Sequence, residues 1–255
     1  VIVWWCDNWR QRFQQQWLAT GAMDVAIATD SPNVEWLASL PEHPHSILSN
    51  WGIRPDLWAV SPPIERPEMS ASFAGQLYGD RPARLAEIAA AGPIPIEIRD
   101  TGRAVLSIPA YHRFMASHTF TIALTKSSHG MRQWKSRHFE AALHGTVLVT
   151  EQVERLSDFW EPDVECLVFE EAREAQAKMT LLMQDGPEAY LDMGQRALRR
   201  GLREHTMFHR FRAIFDALRL PVPRFPDFSS LLDDPEEVAD DSLDERLSSD
   251  ASNVH

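Results

Sequence analysis

A short predicted helix over residues 135–144 carries the side chain best suited to chemistry. Phe139, Ala142 and Leu143 stand at positions i, i+3 and i+4, which gives this helix one apolar face. Glu140 lies one helical position from that face, so its carboxylate can reach the mouth of a neighbouring sheet. Open α/β folds bind ligands at that edge, and we therefore expect Glu140 to contact a ligand. The competing interpretation is a surface residue on a core-facing helix.

A glycine-containing loop over residues 75–81 is the second feature that suits ligand binding. It follows a predicted strand at 70–75 and leads into a predicted helix at 82–91. The free N–H groups and the dipole of a helix N-terminus attract anions. Arg81 would add a bidentate partner for a phosphate. The loop alone is equally compatible with an ordinary strand–helix turn.

Thr150 and Glu151 end an apolar run at 147–149, which predicts a strand buried on both faces. The carboxyl end of a parallel strand faces the ligand-binding edge of the sheet. Both residues are therefore candidates for contact with a ligand. Thr150 could equally cap a following helix, which we predict near residues 151–159.

The residues around Glu140 belong to a longer pattern that resembles a known family. The pattern consists of Lys135-x-Arg137-x-Phe139-Glu140, two small residues, Gly145-Thr146, Leu148 and Thr150-Glu151. It resembles the group 1 glycosyltransferases, most closely their spore-maturation-protein-type branch. The matching positions further along the chain are Glu204, His205, Thr206 and Arg210. The resemblance covers residues 70–218 well and residues 1–65 more loosely.

The resemblance implies the GT-B fold, an α/β architecture of two Rossmann-like domains with parallel sheets. It also implies a hexosyltransferase-type enzyme that moves a sugar from a nucleotide-diphosphate sugar to a glycan, lipid or protein acceptor, with no metal or other cofactor. Lys135 and Arg137 would stabilise the leaving diphosphate, and Glu140 would hold the ribose. The loop with Gly75 and Arg81 would face the diphosphate.

Two departures from the simplest interpretation leave alternatives open. Residues two apart on a helix do not share a face, so at most one of Lys135 and Arg137 points into the cleft unless the helix begins after Arg137.

Many relatives carry a Glu-x7-Glu element whose second Glu matches Glu140, but Arg132 occupies the first position here. This departure favours a catalytically inert relative that acts as a binding module in a polysaccharide or coat assembly. A nucleotide-sugar epimerase on the same fold is a third candidate.

The order of predicted elements divides the chain into three parts. Residues 1–65 alternate strands and helices, as a Rossmann-like domain does, and they begin inside a predicted strand, so we expect a partial N-terminal domain. Prolines at 62–67 predict a stiff connection. Residues 66–220 would form the nucleotide-sugar-binding domain, and residues 221–255 an acidic disordered tail.

Composition narrows the possible partners and location. The formal net charge is −12, but residues 227–255 hold ten acidic side chains against Arg246 alone. A globally acidic chain argues against nucleic acid as a partner. Two cysteines argue against a disulfide scaffold and favour a reducing compartment, so we expect a cytoplasmic protein. The sequence has no run of about 18 apolar residues, and no integral membrane segment is expected.

Overall fold

The computed structural model of the chain contains two parallel sheets with helices packed on them. It describes residues 2–5, 15–16, 18–40, 45–57, 68–126, 131–225 and 228. The predicted proline-rich connection and most of the predicted acidic tail lie outside these residues. The first sheet has the order β1-β2-β3, with strands Ile2–Trp5, Val25–Ala28 and His45–Leu48. Helix α1, Ser31–Ala38, connects the second and third strands.

The second sheet has five parallel strands in the order β5-β4-β6-β7-β8. These strands are β4 Glu68–Gly75, β5 Ile96–Asp100, β6 His118–Ala123, β7 Val147–Glu151 and β8 Cys166–Phe169. The chain runs from β4 to one side and then returns to the other side with β6. Doubly wound folds form their ligand crevice where the strand order reverses in this way, beyond the carboxyl ends of the strands.

Six further helices follow along the part of the chain that the structure describes. They are α2 Arg81–Ala90, α3 Ile108–Ala116, α4 Arg137–Leu143, α5 Ala172–Gln184, α6 Pro187–Glu204 and α7 Met207–Ala217. Thr206 is the N-cap residue of α7 and forms a capping box. Its hydroxyl accepts a hydrogen bond from His209 N, and its backbone N–H donates to the His209 ring. The α/β fold class with parallel sheets is thus confirmed.

One predicted helix is absent from its place. Residues 151–159 were expected to be helical, and this prediction was wrong. Glu151 is still part of β7, and only Leu156–Asp158 form a single 3-10 turn. Arg155 has a φ of 57°, in the left-handed region, so a right-handed helix cannot pass through it.

The second sheet is buried on both faces, which explains its continuous apolar strands. On one face, Phe73 and Phe120 pack with Leu85 of α2 and Met179 of α5. The opposite face is covered by α4 and α6 and by an aromatic group. That group comprises Trp134, Phe139, Phe159 and Trp160.

The segment after β3 packs against the join between α6 and α7. Ile53 N donates to the carbonyl of His205 at 2.8 Å, and Met207 N donates to the carbonyl of Ile53 at 2.8 Å. A Cβ on Gly52 would come within 2.7 Å of Met207 N, so only glycine allows this approach. Ile214 of α7 packs with Val25 and Ile27 of the first sheet. The α7 helix therefore packs against the first sheet through Ile214.

Candidate functional site

Two adjoining cavities open beyond the carboxyl ends of β4 and β5, beside the point between β4 and β6 where the sheet order reverses. The cationic cavity has a volume of about 380 Å³ and is lined by Trp51, Gly75, Gln76, Tyr78, Arg81, Thr101 and residues 133–137. The carboxylate cavity has a volume of about 310 Å³ and is lined by Arg54, Leu57, Thr101, Val105, Leu106, Ile108, Tyr111, His112, Ser136 and Glu140. Because Thr101 and Ser136 line both, the two cavities are neighbours.

The start of α4 places both predicted cations at the cationic cavity. The helix begins at Arg137, and Ser136 is its cap residue, so Lys135 precedes the helix. The restriction on residues two apart within one helix therefore does not apply to Lys135 and Arg137. Both line the same cavity.

Arg137 crosses from α4 to the end of β4. Its side chain is buried, and its Nη2 donates to the carbonyl of Ala74. The guanidinium also lies over the ring of Phe73, 4.8 Å from the centroid. A Cβ on Gly75 would collide with Nη2. Gly75 is therefore required for the arginine to approach the strand.

Arg81 joins the loop after β4 to the end of β6. It is 4% exposed and donates to the carbonyls of Gln76 at 3.0 Å and Lys126 at 3.2 Å. Its guanidinium stacks on Tyr78, 3.9 Å from the ring centroid. Burial, and to a smaller extent the neighbouring Arg137, lowers the pKa of Arg81. Arg81 thus lines the cavity while its hydrogen bonds go to neutral carbonyl oxygens.

Glu140 lies in the carboxylate cavity, one helical turn from Arg137. Its Oε2 accepts a hydrogen bond from the phenol of Tyr111 at 2.7 Å. Arg54 lines the same cavity and forms an ion pair with Asp56 at 2.5 Å. Asp56, and less strongly Glu140, raises the pKa of Arg54, while burial opposes them. The cavity therefore offers an acceptor carboxylate close to a guanidinium.

Sequence reasoning missed Tyr111, His112 and Arg54 as lining residues. The Nδ1 of His112 lies 2.7 Å from the Nε2 of His144 at the end of α4. Burial lowers the pKa of His112. The available signal was a Tyr-His pair in a short helix directly after β5, at the ligand-binding edge of the sheet.

Thr150 and Glu151 are placed elsewhere, and neither lines the cationic or the carboxylate cavity. Thr150 is 0% exposed, and its hydroxyl donates to the carbonyl of Ala123 and bonds His138 Nε2 at 3.0 Å. Glu151 accepts from the backbone N and the hydroxyl of Thr125, at 2.9 and 3.0 Å. These contacts fix the end of β6 relative to β7.

Glu151 instead lines a third space of about 360 Å³, which we name the ion-paired cavity. Its lining residues are Asp80, Ala83, Arg84, Glu87, Lys126, Arg132, Glu151, Glu170 and Glu171. Arg132 donates to Glu170 Oε2 at 2.9 Å and to the carbonyl of Gln152 at 2.8 Å. Arg132, which replaces the first Glu of the Glu-x7-Glu element, therefore lies in this cavity.

Among the described residues, no group of three or more His, Cys, Asp or Glu residues is arranged to hold a metal ion. No helix among those residues is both long and apolar enough to span a bilayer.

Comparison with known proteins gives both a sequence match and a fold match. Residues 99–216 match the sequence model of a protein family described as "Glycosyl transferase-like". That stretch contains Tyr111, Lys135, Arg137 and Glu140. A search of curated proteins found no match.

Two solved structures of TarM are similar to the chain. One is an S. aureus TarM mutant in complex with Fondaparinux, alpha-GlcNAc-glycerol and UDP. It is 9% identical, with a TM-score of 0.59, over 81% of this chain and 46% of that one. The other TarM structure is 9% identical, with a TM-score of 0.56, over 80% of this chain and 46% of that one. The chain spans less than half the length of these structures. It has an α/β fold of the GT-B type, and residues 99–216 are glycosyl transferase-like in sequence.

Proposed function

We propose that the chain belongs to a glycosyltransferase that takes a sugar from a nucleotide-diphosphate sugar. The observation that carries the proposal is the pair of adjoining cavities on either side of Ser136. Lys135, Arg137 and Arg81 give one cavity a positive lining. Glu140 gives the other a carboxylate. A nucleoside diphosphate has the matching order of groups, an anionic diphosphate attached to a hydroxyl-bearing ribose.

The chemistry of sugar transfer explains why these groups are needed. When the glycosidic bond to the diphosphate breaks, negative charge develops on the leaving oxygens. Fixed positive charges in a water-poor site stabilise that charge without reorganisation. Lys135 and Arg137 would act there, and Arg81 would add to the positive field. Glu140 is an acceptor-only group when ionised and suits the ribose hydroxyls.

The finer parts of the proposal rest on the resemblance of the 135–151 pattern. They are a spore-maturation-protein-type branch, a hexosyltransferase-type reaction, transfer without a metal, and a glycan, lipid or protein acceptor. The division at residues 65 and 220 belongs to the same proposal. Its support is the order along the sequence: the strands of the first sheet come before residues 58–67, and those of the second sheet come after them.

A second candidate is the inert GT-B relative that serves as a binding module in a polysaccharide or coat assembly. The observation that favours it is Arg132, which stands at the first position of the Glu-x7-Glu element and pairs with Glu170 outside both cavities. Arg81 and Arg137 also hold backbone carbonyls, which is a structural use of both cations.

Calorimetric titration with UDP, GDP and dTDP, with and without magnesium, tests the proposal. We expect one nucleotide to bind and magnesium to leave its affinity unchanged. Glu140→Ala should weaken binding roughly tenfold or more, because a charge-assisted hydrogen bond is lost. Glu170→Ala, which removes a carboxylate outside both cavities, is the matched control and should bind as the unaltered chain does.

Two results would contradict parts of this proposal. If the folded chain binds none of the three nucleotides, the binding-module candidate replaces the transferase. If Glu140→Ala binds a nucleotide with unchanged affinity, Glu140 does not contact the ribose. Circular dichroism of each variant confirms that the fold is retained in either case.

A further inference from the structure

The contact between Tyr111 and Glu140 joins two helices at the carboxylate cavity. Tyr111 lies on α3 and Glu140 in the first turn of α4, and the phenol donates to Oε2 at 2.7 Å. Burial raises the pKa of Tyr111, and the charge of Glu140 raises it further. The phenol therefore keeps its proton at ordinary pH and remains a donor to the carboxylate.

The backbone around Tyr111 is held in place independently of Glu140. Ser107 caps α3 by accepting from Ala110 N at 3.3 Å, and Tyr111 N donates to the Ser107 carbonyl at 2.9 Å. One residue further on, His112 bonds His144 at the end of α4. Two polar contacts thus connect α3 to both ends of α4. The phenol approaches Glu140 from a rigid element and not from a loop.

Arg54 gives Glu140 another possible partner. It lines the same cavity, and Glu140 contributes to the raised pKa of its guanidinium after Asp56. A carboxylate without the phenol would be drawn toward this positive charge. Charge-assisted pairs between a guanidinium and a carboxylate are among the stronger hydrogen-bonded contacts. The phenol of Tyr111 competes with that rearrangement.

We propose that Tyr111 is a positioning residue that sets nucleotide specificity through Glu140. By holding Oε2, it keeps the carboxylate turned to the place where ribose hydroxyls would bind. The site then prefers a ribonucleotide to its 2′-deoxy form. This inference rests on the proposed function, because it assigns a nucleoside diphosphate to the two cavities.

The test measures the affinities of UDP and 2′-deoxy-UDP for the unaltered chain and for Tyr111→Phe. We expect the unaltered chain to prefer UDP by roughly tenfold, which is the scale of one charge-assisted hydrogen bond. Tyr111→Phe should reduce this preference about fivefold by weakening UDP alone. The control is Tyr190→Phe, which removes a hydroxyl from a buried tyrosine of α6 outside both cavities, and should keep the preference.

The outcomes separate this inference from the proposed function. A chain that binds UDP but loses affinity for both nucleotides equally in Tyr111→Phe, or for neither, overturns the role of Tyr111 alone. A chain that binds no nucleotide overturns the proposed function and this specificity with it. A crystal structure of Tyr111→Phe without ligand gives a second readout. We expect the carboxylate of Glu140 to turn toward Arg54, and an unmoved Glu140 would contradict the inference.

Discussion

The cationic cavity and the ion-paired cavity, at the two ends of one sheet edge, are each lined by three cations but use them differently. At the β7–β8 end, in the ion-paired cavity, cations meet carboxylates. Arg132 pairs with Glu170 at 2.9 Å, and Lys126 pairs with Asp80 at 3.2 Å. These pairs largely cancel the local charge. A further anion would have to displace a carboxylate to bind there.

At the β4–β5 end, two cations are held by groups without net charge. Arg81 donates to the carbonyls of Gln76 and of Leu124, which follows β6, and Arg137 donates to the carbonyl of Ala74. Carbonyl oxygens fix the guanidinium groups without cancelling their positive charge. The partners of the cations, and not their number, therefore distinguish the proposed anion site.

The largest effect is expected from removing one cation at each end of the edge. Arg137→Met keeps an apolar stem near Phe73 but removes the charge, so we expect nucleotide affinity to fall roughly a hundredfold. Arg132→Met removes a half-exposed ion pair, which contributes about 0–1 kcal/mol to stability, and should leave affinity unchanged. Titration with UDP measures both variants. Equal losses in the two variants would abolish the distinction between the cavities.

A second prediction concerns His138, which holds α4 against β7. Its ring bonds Thr150 Oγ1 at 3.0 Å, and burial lowers its pKa to about 3. The unfolded chain binds this proton near pH 6.5 but the folded chain does not. The contribution of His138 to the free energy of unfolding should therefore fall as pH drops from about 6.5 toward 3, by about 1.4 kcal/mol per pH unit.

The matched variant for this pH effect is His138→Gln, which removes the titrating ring. Urea unfolding at pH 7, 6 and 5 should show a shallower decline for the variant than for the unaltered chain. Parallel declines would mean that other groups, and not His138, take up the proton on unfolding.

Much of the fold is predictable from sequence because each strand and helix has a local signature. The apolar run at 147–149 predicts β7, and the spacing of Phe139, Ala142 and Leu143 predicts α4. Glu140 could be placed at the ligand edge because it lies one helical position from the apolar face of α4. Lys135 and Arg137 could be placed there because the pattern around Glu140 resembles that of the glycosyltransferases. Gly75 and Arg81 could be placed there because they follow β4.

The remaining site residues depend on contacts between distant parts of the chain. Arg54 reaches the carboxylate cavity because residues 51–57 pack against the α6–α7 join, which no local pattern indicates. Tyr111 meets Glu140 only because α3 packs beside α4. The prediction of a helix at 151–159 was wrong because Arg155 adopts a positive φ. Arginine rarely adopts this conformation, so the sequence gives no sign of it.

Glycine substitutions in the loop after β4 should have smaller effects on the cationic cavity. Gly75→Ala would place a Cβ against Arg137 Nη2, so the end of that side chain would have to move away from the carbonyl of Ala74. Gly79→Ala meets no atom within 4 Å but must adopt a φ of 59°, which costs about 1 kcal/mol. Only Gly75→Ala should also weaken UDP binding, because only it displaces Arg137. Similar affinities for the two variants would separate Gly75 from the site.

The smallest effect is expected from Glu151→Gln, for which sequence and structure make opposite predictions. The sequence suggests contact with donor or acceptor, whereas the structure uses the carboxylate to hold Thr125 and to face Arg84 at 3.4 Å. Glutamine keeps an acceptor oxygen but loses the charge, so stability should fall by about 1 kcal/mol. UDP affinity should stay within about twofold of the unaltered value. A loss of affinity comparable to that of Arg137→Met would instead show that the nucleotide site extends along the sheet edge to β7. A ligand would then displace the ion pairs there.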